Sequence, residues 1–92
     1  MQLRIITPEK IIVDREVESV TLPGWEGELT VLTGHDIELV RLKGGRIFYR
    51  TAEGKTIREE FRSEEGFAEI SQKYTNVFVD KITPSHTLDR PS

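Results

Sequence analysis

Ser19-Val20-Thr21-Leu22-Pro23-Gly24-Trp25-Glu26-Gly27-Glu28-Leu29-Thr30-Val31-Leu32-Thr33-Gly34-His35 is the stretch that decides the fold. Two β-branched runs flank a loop that holds a proline and two glycines. Val20 and Leu22 lead into it, and Leu29 and Val31 fall on one face after it. Proline and glycine at such a place mark a turn, and period-two apolar residues on either side mark strands. Gly24-x-x-Gly27 is no phosphate loop, because no Lys-Ser/Thr follows it and no helix is expected after it. The spacing of Val17, Val20 and Leu22 breaks strict alternation and predicts a bulge.

The rest of the chain repeats this pattern. Of 92 residues, nine are Ile, seven Val and nine Thr, whereas alanine occurs only as Ala52 and Ala68. β-branched side chains lose rotamer freedom in helices and pack well on a pleated surface. Apolar segments are expected at 2–7, 10–14, 16–22, 28–32, 38–42, 46–51, 55–63, 67–71 and 76–82, and the glycines fall between or at the edges of these segments. Ala52-Glu53-Gly54 reads as a hairpin turn. The fold class is all-β: a small β-sandwich of about eight to ten mostly antiparallel strands. One domain is expected over residues 1–83, followed by a polar, flexible tail over 84–92 that carries two prolines.

Composition excludes several classes. There is no cysteine, so neither disulfides nor thiolate metal sites are available. Thirteen basic and sixteen acidic residues give a net charge of −3, which argues against nucleic acid as a partner. No apolar run approaches the ~18 residues of a membrane span.

Candidate chemistry is sparse. His35 beside Asp36 could be a general base with its orienter, yet no nucleophile is nominated, and neighbours on a strand point to opposite faces. Glu26 and Glu28 are too few for a calcium site, which wants about six or more oxygens. Arg58, Glu59, Glu60, Arg62, Glu64 and Glu65 read as the wet face of an edge strand, and His86 falls in the tail. Trp25, between glycines on a loop, is either an interface anchor or a ring folded back over the sheet edge. The residues predict no catalytic group, no cofactor site and no metal site.

The opening stretch resembles the signature of the epsilon subunit of rotary F-type ATP synthases, in which Pro-Gly-x-x-Gly and Leu-x-Gly-His join two strands of an N-terminal β-sandwich. Leu3-Arg4-Ile5-Ile6-Thr7-Pro8-Glu9-Lys10 is similar to that family's first strand and turn. Glu65-Gly66-Phe67-Ala68-Glu69-Ile70 resembles its Gly-Gly-Phe-x-Glu-Val, and Asn76-Val77-Phe78-Val79 its last strand. Two departures are local: Asp36-Ile37-Glu38 follows Gly-His where the family has Ala-Pro-Leu, and Glu65 replaces a glycine.

The resemblance implies a non-catalytic rotor subunit of the central stalk, bound to the gamma subunit and resting on the c-ring. It would lie on the cytoplasmic face of the membrane without inserting into it, coupling ion flow to ATP synthesis. Thr7, His35 and Val40 match gamma-facing positions. Glu28 matches a position facing the c-ring, with Trp25 and Glu26 on the same loop. The family usually adds a C-terminal helical hairpin that inhibits hydrolysis and binds ATP in some members. With the sequence ending at Ser92, coupling without that hairpin and without ATP binding is expected. The rival reading is a carbohydrate- or peptide-binding sandwich, for which Phe48, Tyr49, Phe61 and Phe78 could supply an aromatic platform, although three of the four are better used as core.

Overall fold

A computed structural model describes residues 1–32, 36–52 and 57–87, with the backbone alone for residues 57, 58, 86 and 87. It contains ten strands: β1 (Gln2–Ile6), β2 (Ile11–Glu16), β3 (Ser19–Gly24), β4 (Gly27–Val31), β5 (Glu38–Leu42), β6 (Gly45–Arg50), β7 (Ile57–Ser63), β8 (Gly66–Ile70), β9 (Tyr74–Val79) and β10 (Ile82–Thr87). No described residue is helical.

Hydrogen bonding runs in one path, β10-β7-β6-β3-β5-β8-β9-β1-β2, with β4 beside β3. Every pairing is antiparallel except β1 with β9, which run parallel. The path folds over on itself, so Leu3, Ile5 and Val77 from one half share a core with Val20, Ile47 and Phe61 from the other. This is the expected all-β sandwich, with ten strands.

Strand β3 is buried along its whole length, because it is the junction of the two halves. It pairs with β6 through Ser19–Thr21 and with β5 at Gly24↔Leu42, while β4 lies along its other edge. Its buried Thr21 hydroxyl is satisfied by that of Thr30 across the hairpin, 2.9 Å away. The chain passes from β5 to β6 through Gly44, whose φ of +85° suits glycine and whose surroundings leave little room for a Cβ. Strand β9 shows the plainest sequence logic. Thr75, Val77 and Val79 face inward and alternate with half-exposed neighbours. The Thr75 hydroxyl meets the sulfur of the buried Met1 at 3.3 Å.

Three sequence expectations are corrected. Val17 lies between β2 and β3, where its N–H donates to the Met1 carbonyl, so the broken alternation marks a turn and not a bulge. The charged run does not lie on an edge strand, because β7 sits between β6 and β10. Two of its carboxylates are engaged within the sheet: Glu60 accepts from Arg46 Nε at 2.8 Å, and Glu59 from the Tyr49 hydroxyl at 2.7 Å, while Glu64 and Glu65 beyond β7 are exposed. Finally, the boundary expected between 83 and 84 falls inside β10, which pairs with β7 from Ile82 to Thr87. Pro84 is tolerated there because β10 is an edge strand and its register shifts between Pro84 and His86. Residues 88–92 of the expected tail lie outside the described residues.

Tyr49 gives a pH-dependent signature of this packing. Burial, with the Glu59 carboxylate beside it, pushes the phenol from 10.0 up to about 12. The folded state favours the neutral phenol, so its stabilising share is complete below pH 10 and is lost as pH rises through 12. The loss expected is about 2–3 kcal/mol at 1.36 kcal/mol per pKa unit. Urea unfolding across this range should show the fall in the native protein and a flatter profile in Tyr49→Phe.

Candidate functional site

The β3–β4 hairpin closes through Trp25 and Glu26, with Gly24 opposite Gly27. Gly24 is required by close approach, since a Cβ there would stand 2.7 Å from the Gly27 carbonyl oxygen. The turn is tied to β5 by two backbone bonds. Trp25 N–H donates to the Arg41 carbonyl at 2.9 Å, and Lys43 N–H to that of Pro23 at 3.0 Å. The Arg41 guanidinium lies 4.3 Å from the centre of the Trp25 ring. At such a half-exposed site a cation–π contact contributes about 0.5–1 kcal/mol. Of the two sequence readings of Trp25, the structure shows the ring folded back against β5, with the residue still 48% exposed.

Between the hairpin and β5 lies a cavity of about 590 Å³, lined by residues of both, including Glu26, Glu28, Glu38, Leu39 and Val40. Glu26, Glu28 and Glu38 are exposed, and Val40 is half-buried against the core. Val40, expected on one interface, therefore shares a surface with Trp25, Glu26 and Glu28, expected on another. Thr7 lies elsewhere, at the mouth of a smaller cavity of about 330 Å³ that also touches Pro8, Phe67 and Phe78. Its hydroxyl is committed to the β1–β2 turn, donating to the Lys10 carbonyl at 3.1 Å. His35 lies outside the described residues, so its pairing with Asp36 is not placed.

Leu39 and Phe67 were not singled out by the sequence reading. Leu39 is 70% exposed and Phe67 46%. The signal was present in both strands. Val40 and Leu42 face the core in β5, so alternation puts Leu39 outside with Arg41; Ala68 and Ile70 do the same to Phe67 in β8. Phe67 stacks on Phe78 across the strands, with ring centres 5.1 Å apart.

The four aromatics that the rival reading would need as a platform are dispersed. Tyr49 and Phe61 are core residues, Phe78 pairs with Phe67, and Phe48 is covered by the guanidinium groups of Arg46 and Arg50. Among the described residues, no three His, Cys, Asp or Glu side chains gather as metal ligands, and no helix is long and apolar enough to cross a membrane. The chemistry on offer is that of a docking surface, in which carboxylates rim exposed apolar side chains.

Comparison with known proteins agrees with this architecture. Residues 1–85 match the family model described as the ATP synthase delta/epsilon chain β-sandwich domain. The ATP synthase epsilon chain of Desulfatibacillum aliphaticivorans is 46% identical over 87 residues, covering 95% of this chain and 60% of that protein. That of Granulibacter bethesdensis is 38% identical over 82 residues, covering 89% and 59%. The chain thus spans about three fifths of the length of these curated relatives. A chain in the Euglena gracilis mitochondrial ATP synthase structure (OSCP/F1/c-ring) shares the fold with a TM-score of 0.79 at 24% identity, covering 89% of this chain and 51% of that one. A chain in the Tetrahymena thermophila central stalk/c-ring structure does so at 0.74 and 20%, covering 90% and 65%. With a family model matching residues 1–85 of an all-β fold, the chain belongs to the ATP synthase delta/epsilon family and comprises its β-sandwich domain.

Proposed function

We propose that this domain is a non-catalytic rotor part of the central stalk of a rotary F-type ATP synthase. It binds the gamma subunit and the c-ring and so couples ion translocation to ATP synthesis. It sits peripherally on the cytoplasmic face of the membrane, held there by its partners. The observation that carries this reading is the family match over residues 1–85. The surface chemistry supports it, because exposed carboxylates and apolar side chains together suit protein docking.

In this reading Thr7, His35 and Val40 face the gamma subunit, and Trp25, Glu26 and Glu28 form the tip turned to the c-ring. Val40 and the tip line one cavity, which supports two adjoining contacts. Glu28→Lys tests the assignment. The exposed side chain contributes little to folding, so the melting curve should stay within about 0.5 kcal/mol of the native one. Association with purified c-ring in a reconstituted stalk should fall roughly tenfold, as expected for a reversed charge at a complementary rim. Co-purification from membranes with neither the gamma subunit nor the c-ring would sink the whole reading.

A further inference from the structure

Among the described residues, the side of β5 that faces the β3–β4 hairpin is a free sheet edge over most of its length. Strand β5 pairs with β8 along all five of its residues but with β3 only at Gly24↔Leu42. Strand β4 pairs with β3 alone among the described residues. The Arg41 carbonyl accepts from Trp25 on this side. Backbone groups alternate between the two edges of a strand, so those of Leu39 face the same way, with no described strand opposite them.

Side chains mark the same place. Of the six large apolar residues most exposed among those described, Trp25, Leu32, Ile37 and Leu39 all lie on or between β3 and β5. Three carboxylates, Glu26, Glu28 and Glu38, line the cavity, against the single guanidinium of Arg41 that rests over Trp25.

We infer that the cleft between β4 and β5 receives an extended, basic segment of the gamma subunit, which adds as a strand to the free edge of β5. The inference rests on the stalk reading above and names how one of its contacts is made. An extended segment pairs its own N–H and C=O groups with the exposed edge, which a helix, with its backbone bonds internal, does not. Alternate side chains of the segment cover Leu39 on the outer face. Basic residues at the intervening positions, which lie on the face of Val40, meet Glu38, and the carboxylate rim disfavours an acidic partner. An unpaired edge flanked by apolar side chains is otherwise a liability for uncontrolled pairing, and a dedicated strand removes it.

The test is backbone amide exchange of the domain, read by NMR with and without the gamma subunit of the same organism. The Leu39 amide should slow at least tenfold on gamma binding. Leu39→Pro, which deletes that N–H and leaves the β8 side bonded, should weaken gamma binding at least tenfold. Glu38→Lys should weaken it similarly, and more at low salt than at high salt. If the proline variant does not fold, the exchange measurement and the charge reversal decide. Gamma binding with unchanged exchange at Leu39 overturns the strand addition and leaves the stalk reading standing. Slow exchange at Leu39 in the domain alone, together with dimer formation, overturns it in favour of a second copy on this edge. Failure to bind gamma at all overturns the stalk reading itself.

Discussion

Gly66→Ala is expected to cost this domain about 3 kcal/mol or more, at the upper end of what overpacking does. The backbone of β9 passes so close to β8 that an added Cβ would stand 2.0 Å from the Phe78 carbonyl oxygen and 2.8 Å from Val79 Cγ1. One of these contacts is with backbone, so no rotamer change relieves it. The strands must separate, which weakens the β8–β9 ladder between Gly66↔Val79 and Phe67↔Phe78. A domain of this length has roughly 5–14 kcal/mol in all. The melting temperature should therefore fall by roughly 12–24 °C. Thermal unfolding followed by circular dichroism checks it, and a variant melting within a few degrees of the native protein would contradict this approach of the strands. The physical meaning of glycine in the Glu65-Gly66-Phe67 motif is thus a lack of space, since Gly66 is not among the residues of positive φ.

Phe61→Ala should cost about 3–5 kcal/mol, and Phe67→Ala less than about 1.5 kcal/mol. Phe61 is 1% exposed in β7, inside the core shared by both halves of the sheet. Its removal leaves a cavity that surrounding strands close only in part. Phe67 stands on the outer face of β8, where truncation forfeits the stack on Phe78 and some partly buried area. Denaturant unfolding of both variants measures the difference. Equal costs, or a larger one for Phe67, would mean that the inner and outer faces of β7 or β8 are assigned the wrong way round.

Much of the fold was legible because sheet formation leaves a local trace. Alternation along β9 and the apolar–polar switches of β1 mark faces without any knowledge of neighbours. The glycines and Pro23 around Trp25 mark the β3–β4 turn for the same reason. The edge assignment of the charged run failed because position within a sheet is set by non-local pairing. Glu59 and Glu60 look solvated in sequence, yet Tyr49 and Arg46 of β6 stand across from them. The turn after Val17 was read as a bulge because both interrupt alternation in one way, and only the strand bounds, with β2 ending at Glu16 and β3 starting at Ser19, separate them.

The candidate site divides along the same line. Trp25, Glu26 and Glu28 could be placed on one loop from sequence, since a hairpin tip is local. Their partners Glu38, Leu39 and Arg41 come from a strand on the other side of the cleft, and Val40 joins them there.

The sequence by itself determined the strand class, most of the turns, the inward faces and the motifs that resemble the family. These depend on side-chain preference and spacing within a few residues. The tertiary structure decided which strands are neighbours, that β1 and β9 run parallel, and that β5 meets β3 at one position only, beside the Trp25 turn. Strand order is a property of contacts between residues far apart in the chain, whose pairing energies no local pattern encodes.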